Sequence, residues 1–550
     1  MEDRPLLKGD AEQQPHLKQA AYARAARRQP LSVEEIAFFA QYFAVGIVSG
    51  GLPSTIYGLF LGYLNVEAYV YATAATIVSL PWSFKFAFGM VNDCVPIRGY
   101  RRKPYMVIGW SVCTLCLLVL HFRALPEPYW CIDAAGKYVR ETKDPTTGQT
   151  VAATPCNAAA AESGGAIAML MMLASLGYCI ADVAADGLTV SLARAEPEHR
   201  RGRTQTTVYL VRTCGQVFAV ALVGFGMNGY LYNGTFARGL SFPAIVGLLA
   251  LPAFAMVPLS LLVRERRLSP KDEERWTFAA YCARVWRLLS SRAMLWVVLY
   301  EFCTPLVGGI STTAAGEVKE YWADVKTFQN ACFSLVGLGL FAFGLWLVKT
   351  YLLDRSWRHM MLVTTVFLNC LDMPFAYCTI FDVVRNQYFY LGETVLAEIP
   401  AAANFVVSTF VIVEMAEDGD EGIVYGLLTT TFNLGSPFAQ AISNQLFGLF
   451  RPNLSNSSNY IEDTPSFRRT VALSFAVSYF FAFASLALLP LLPDQKDDAQ
   501  HRKLKWGSSP AFAWFSVSLV FVGLSYSVVV NFLAMFPSTM CLKIAGGSGC

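Results

Sequence analysis

Arg264-Glu-Arg-Arg-Leu-Ser-Pro-Lys-Asp-Glu-Glu-Arg-Trp276 is a charged run set between two long apolar regions. A bilayer-crossing helix needs roughly 20 mostly apolar residues. Counting back from the run, such stretches lie near 241–263, 205–227, 164–191, 104–122, 69–92 and 36–63. Counting forward, they lie near 293–314, 328–349, 359–380, 388–413, 423–449 and 469–492, and a further one covers 510–536. Six spans, a basic linker and six spans is the plan of a two-bundle transporter, whose site forms between the bundles. The expected fold is therefore an all-α membrane protein with two six-helix bundles and a thirteenth, C-terminal helix. Its parts would be a polar cytoplasmic tail (1–35), an N-terminal bundle (36–263), the linker (264–292), a C-terminal bundle (293–492), and a cytoplasmic segment with the extra helix and tail (493–550). A re-entrant or interfacial helix is the alternative for 510–536.

Composition points the same way. Of the 550 residues, 55% are hydrophobic and 15% charged, against about 25% charged in a soluble protein. The net charge of +3 suggests no nucleic-acid partner. No G-K-[ST] phosphate loop is present, which argues against an ATP-driven motor domain. The 14 cysteines show no zinc-ligand spacing, and Cys113-x-x-Cys116 lies inside an apolar span, where it reads as packing. With no H-E-x-x-H and no G-x-S-x-G, an enzyme is not expected, and neither is a metal or other cofactor.

Lysine and arginine set the orientation. With the N-terminus cytoplasmic, Arg98, Arg101, Arg102 and Lys103, then Arg194, Arg200, Arg201 and Arg203, then the linker basics, all fall inside. The facing loops are poorer. The acidic turn 415–421 carries Glu417, Asp418, Asp420 and Glu421 and no basic residue, but acidic residues count little in this rule. Three glycosylation sequons, at Asn233, Asn453 and Asn456, share the non-cytoplasmic side. So do Cys131 and Cys156, expected to form a disulfide, and Cys541 and Cys550, a second candidate pair, because that side is oxidising.

Charges inside a span cost at least about 2.5–3.5 kcal/mol and need a reason. In the second span Trp82, Lys85, Phe86, Gly89 and Asp93 share a helical face. In the fourth, Asp182 and Asp186 stack four apart with Tyr178 in line; in the fifth, Gln205, Tyr209 and Arg212 share one face. At 1.5 Å per residue, Lys85, Asp182 and Arg212 sit at depths of about 12, 16 and 13 Å. They are expected to meet, either as a structural network of mutually neutralising charges or as a network that a ligand or proton opens. A snorkelling Lys85 is the third reading. Asp186 lies shallower, so a structural place in a cytoplasmic gate with Asp93, Arg101 and Arg102 is expected for it. Mid-depth carboxylates Glu301, Glu393 and Glu398 are candidates for proton relay, and with Asp182 the proton-coupling set is Asp182, Glu301 and Glu398. Gly50-Gly-Leu-Pro53 predicts a broken or kinked first span.

Gly89-Met-Val-Asn-Asp93 followed by Arg98-Gly-Tyr-Arg-Arg102 resembles the 2–3 loop signature of the major facilitator superfamily, with a longer gap before the basics. The wider block Ser79-Leu-Pro-Trp-Ser-Phe-Lys85 through Lys103-Pro-Tyr105, with Asp182-Val-Ala-Ala-Asp-Gly187 and Arg201-Gly-Arg-Thr-Gln-Thr-Thr-Val-Tyr209, resembles the folate–biopterin transporter family over residues 35–490. The resemblance implies a major-facilitator-like fold and proton-linked or gradient-driven uptake of folates and pterins. It implies substrate-site positions at Lys85, Asp182, Asp186, Gln205 and Arg212. Chemically, an aspartate can accept from the pterin's amino and ring N–H groups, the two cations can hold carboxylates, and Trp82 and Tyr209 can stack on the ring. The expected partners are a small-molecule substrate, protons and the lipid bilayer, with the chain a monomer in the plasma membrane or an organelle membrane. Transport of another solute such as S-adenosylmethionine, and a membrane receptor or enzyme, are the alternatives.

Thirteen spans put the C-terminus on the side opposite the linker. A C-terminal tag should therefore resist protease in sealed vesicles whose cytoplasmic face is outward, and digestion there would refute the thirteenth span.

Overall fold

The computed structural model describes residues 32–195, 203–267, 277–352, 355–415 and 421–549. The basics Arg200 and Arg201, the linker segment 268–276, the acidic turn 416–420 and Cys550 lie outside them. The N-terminal bundle is α1 (Val33–Tyr63), α2 (Ala68–Cys94), α3 (Lys103–Phe122), α4 (Gly164–Ala195), α5 (Arg203–Gly226) and α6 (Phe242–Leu259). The C-terminal bundle is α7 (Arg292–Gly308), α8 (Thr327–Tyr351), α9 (Trp357–Ile380), α10 (Gln387–Val411), α11 (Glu421–Phe447) and α12 (Pro465–Leu491). The thirteenth helix, α13, spans Pro510–Leu533 and packs against α11. Eleven of these helices are long and apolar enough to cross a membrane. The other two are α7, which has only 17 residues, and α11, which carries Thr429, Thr430, Thr431, Asn433 and Gln440.

Each bundle has its own apolar core. Met535 and Ala545, from the tail after α13, join the core of the N-terminal bundle. The polar linker is itself partly helical: Phe278–Leu289, capped by the Thr277 side chain, buries Tyr281, Leu288 and Leu289. The Tyr281 ring lies 6.0 Å from Phe86 of α2. At the other end, the α3–α4 connection forms two small hairpins, Cys131–Ile132 with Tyr138–Val139 and Glu141–Lys143 with Thr150–Ala152. A Cys131–Cys156 disulfide closes this excursion. Cys541 is also disulfide-bonded; its expected partner Cys550 lies outside the described residues. The two ends of the molecule are called below the linker end and the hairpin end.

The first span is not broken at Gly50-Gly-Leu-Pro53. The helix runs through Pro53 and then widens to a π-helical segment at Tyr57–Tyr63. The glycines serve close packing instead. A Cβ at Gly46 would stand 2.1 Å from the Arg212 carbonyl oxygen, and one at Gly215 2.4 Å from that of Phe43. Backbone-to-backbone approach of this kind is how small residues fasten membrane helices.

Two prolines then tie the bundles together. Pro81 lacks an N–H, and α2 tightens to a 3-10 turn over Leu80–Phe84, immediately before Lys85. Pro437 inside α11 leaves the Asn433 carbonyl without its helical donor. The Ser83 hydroxyl of α2 donates to that carbonyl at 3.0 Å, and the Phe86 N–H donates to Thr430 Oγ1 at 3.0 Å.

Gly46→Ala forces α1 and α5 apart at Arg212 itself. Overpacking of this kind costs about 1–3 kcal/mol, so a lowered melting temperature is expected in detergent; an unchanged one would show that α5 can shift without cost.

Candidate functional site

The irregular turn at Pro81 turns Trp82 and Lys85 toward α4. Lys85 Nζ stands 2.8 Å from Asp182 Oδ2 and 3.2 Å from Asp186 Oδ2. It can reach both because residues four apart on α4 stack on one face. Arg212 Nη1, delivered by the close α1–α5 packing, is 3.6 Å from Asp182 Oδ1. Both cations lie over the Trp82 ring, at 4.3 Å for Lys85 and 4.9 Å for Arg212. The Trp82 indole N–H donates to the Tyr178 hydroxyl at 3.1 Å. Tyr42 of α1 donates to Asp186 at 3.2 Å and shares a 2.5 Å hydrogen bond with Thr189.

Asp182 is fully buried and Lys85 nearly so. Two cations and two carboxylates cancel, which makes the burial tolerable. Lys85 and Arg212 each engage one oxygen of the Asp182 carboxylate, which has about four lone-pair sites. The aspartate therefore keeps acceptor capacity. Beside Trp82, a cavity of about 360 Å³ opens between α2 and α11, lined by Ala75, Thr76, Ser79, Trp82, Asn433, Ser436 and Pro437. Such a volume is within the range of small-molecule sites. Tyr425 of α11 lies within electrostatic reach of Lys85 and Tyr209.

The structure thus gathers Lys85, Asp182, Arg212 and Trp82 in one cluster, and it rearranges other expectations. Asp186 meets this cluster through Lys85 and Tyr42, one residue before Gly187, over which Arg102 passes. One helical turn of extra depth is within reach of a lysine held rigidly by packing, which loop-counting does not register. The aromatic partner of Trp82 is Tyr178, at 6.1 Å; Tyr209 is 46% exposed. Gln205 lies on α5, with its side chain outside the described residues. Glu301 of α7 is buried with Oε1 unpartnered, and Glu398 packs on Gly337 of α8; both are apart from the Lys85 cluster.

At the linker end Arg102 pairs with Asp93 and passes over Gly187, where any Cβ would strike its guanidinium. Glu265, which sequence reasoning passed over, accepts the backbone N–H groups of Arg101, Arg102 and Lys103 at 2.9, 2.9 and 2.8 Å. It caps the start of α3, where free N–H groups and the helix dipole favour an anion. At the hairpin end the sequons divide. Asn456 is exposed and Asn453 half-buried. The Asn233 amide, however, is buried and donates to Glu320 at 2.8 Å, so this arrangement leaves no room for a glycan there. A three-residue motif carries no information about what folds over it.

The fold is that of the major facilitator transporters. The chain belongs to the BT1 family, whose pattern its residues 45–139 and 150–506 match. It is 21% identical over 428 residues to a folate-biopterin transporter of Synechocystis sp., covering 76% of this chain and 75% of that one. It is 22% identical over 170 residues to a probable folate-biopterin transporter of Arabidopsis thaliana, covering 31% and 28%. Among solved structures, a bacterial homologue of the lysosomal transporter Spinster superposes with TM-score 0.56 at 10% identity over 87% of this chain and all of that one. A D-xylose–proton symporter superposes with TM-score 0.53 at 10% identity over 82% and 96%.

Removing one partner from a buried ion pair costs about 3–5 kcal/mol. Lys85→Met should therefore lower stability by that order, while Lys85→Met with Asp186→Leu, which leaves Asp182 paired to Arg212, should recover most of it. Equal melting temperatures for wild type and Lys85→Met would show the cluster to be well hydrated.

Proposed function

We propose that this transporter carries folates or pterins by alternating access of its two bundles, coupled to protons, and that it works as a monomer. The observation that carries the reading is the buried Lys85–Asp182–Arg212 cluster around Trp82, next to the α2–α11 cavity. A folate offers a flat pterin with N–H donors at one edge and carboxylates at its tail. The remaining lone-pair sites of Asp182 suit the donors. Arg212 and Lys85 suit the carboxylates. The Trp82 face, already occupied by two cations, suits an aromatic ring when they shift toward the ligand. The names of the Synechocystis and Arabidopsis relatives support the same substrate class.

The charge balance suggests a coupling route. An anionic ligand that takes over a cation leaves an aspartate uncompensated, and an uncompensated buried carboxylate takes up a proton. Asp182 is the group so placed, with Glu301 and Glu398 as the carboxylates that would serve if it does not.

In sealed vesicles, labelled folate or biopterin should accumulate down an imposed proton gradient and S-adenosylmethionine should not. The double variant Lys85→Met with Asp186→Leu should reach the membrane and lose at least about tenfold in uptake, the loss of roughly one charge-assisted hydrogen bond. Asp182→Asn should weaken gradient-driven accumulation more than equilibrative exchange. Normal uptake by the double variant would place the site elsewhere, and accumulation of S-adenosylmethionine alone would overturn the substrate class.

A further inference from the structure

A second set of buried charges lies at the hairpin end, where the bundles touch. The α7–α8 connection folds into a short helix, Ala315–Glu317, and a π-helical turn, Val318–Trp322. Residues of the N-terminal bundle close over it. Arg140, between the two hairpins, donates to Glu320 Oε1 at 2.8 Å, and Asn233 donates to Glu320 Oε2 at 2.8 Å. The Tyr57 hydroxyl of α1 donates to the Val325 carbonyl at 2.6 Å. Tyr57, Leu61, Ala323, Val325 and Leu391 form an apolar plug across the bundles. A Cβ at Gly316 would come within 2.7 Å of the Tyr71 ring of α2. In this state the hairpin end is shut.

Glu317 stands inside the seal. It is 1% exposed, and its Oε2 has no partner. The groups facing it are Glu320 and Tyr321 from its own segment, Glu67 from the α1–α2 connection, Tyr71 from α2, Arg140 from the hairpins, and Tyr460 from the short helix Ser457–Glu462. Arg140 is the one cation among these, and it is committed to Glu320. Lys319 points away, donating to Asn330 at 2.6 Å and lying 4.9 Å over the Tyr57 ring. An ionised carboxylate in such a place is desolvated and faces a cation already paired to Glu320, and a buried carboxyl in that position keeps its proton.

We propose that Glu317 is a proton-binding site on the gate between the bundles, and that the hairpin end closes only over its protonated carboxyl. The proton is taken from the hairpin side while that side is open and the carboxyl hydrated. The bundles then close over a neutral side chain, and on reopening the carboxyl rehydrates and releases the proton to the same side. Burial, reinforced by the charge of Glu320, raises the Glu317 pKa well above the ordinary carboxylate value in the closed state. The closed state therefore binds one proton more than the open one. Closure is favoured as pH falls and weakens about tenfold for each pH unit gained between the ordinary and the raised value. Lys319 acts in the opposite direction at higher pH, because burial lowers it to about 8 and so favours closure above that. Measurements from about pH 5.5 to 7.5 stay below its range.

This inference rests on the transporter reading, but its test uses no solute, so failure of folate as the substrate would leave it standing. Val325→Cys places a thiol in the plug, fully buried when the gate is shut. Its labelling by a membrane-impermeant reagent, read by peptide mass spectrometry, reports opening. The ratio of labelling rates with Glu317 and with Glu317→Gln cancels the thiol's own pH dependence. That ratio should rise about tenfold per pH unit from about pH 5.5 to 7.5, and a flat or falling ratio overturns the proposal. If Glu317→Gln does not reach the membrane, hydrogen exchange over residues 315–325 of the unaltered protein, corrected for intrinsic rates, decides. Greater protection at the lower pH supports the site, and equal or lesser protection overturns it.

Discussion

Charge carried into an apolar helix bundle must be neutralised inside it, and the arrangement of the N-terminal bundle follows from that constraint. Lys85 is buried in its place on α2, so α4 has to present carboxylates to it. Asp182 and Asp186, one turn apart, do so together. Their combined charge exceeds that of one lysine, and α5 supplies Arg212. The position of Arg212 depends in turn on Gly46 and Gly215, which let α1 and α5 approach backbone to backbone. Helix packing and electrostatics are here one problem, since moving α5 outward by a methyl group moves a guanidinium away from Asp182.

The same economy of polar groups joins the bundles. A proline in a membrane helix exposes a carbonyl that cannot stay unpaired in hydrocarbon. The carbonyl freed by Pro437 is taken by Ser83, which follows Trp82 directly and stands two residues before Lys85. The charged cluster and the α2–α11 seam are therefore mechanically continuous: a change in how Lys85 is held is felt at the contact between the bundles. At the hairpin end a different chemistry makes the contact, with Arg140 and Asn233 on Glu320 and an apolar plug beneath. A seam of uncharged hydrogen bonds and a seal containing ionisable side chains respond to different signals.

The thirteenth helix adds a constraint that neither bundle supplies. Asn531 of α13 donates to the Pro437 carbonyl at 2.8 Å, and Tyr69 of α2 donates to the Met540 carbonyl in the tail beyond it at 2.8 Å. The C-terminal segment thus touches α11 and α2 on the face where the bundles meet.

What the sequence determined by itself is whatever depends on position along one helix. The apolar runs, the basic linker and the extra helix are legible because a bilayer imposes a length and excludes charge. The meeting of Lys85, Asp182 and Arg212 is legible because antiparallel neighbours with a known rise per residue bring equal depths together. Tertiary structure alone decided what depends on several segments at once. How Lys85 divides between Asp182 and Asp186 is set by the packing that fixes the lysine between two turns of α4. Asn233 reads as a sequon until Glu320 and Val325, 87 and 92 residues on, fold over it. Glu317 and Glu320 stand in a short polar connection that looks solvent-exposed along the chain, and their burial is made by Tyr57, Tyr71 and the hairpins. Depth is a property of one strand of sequence, whereas desolvation is a property of everything that surrounds a group, and only the folded chain specifies it.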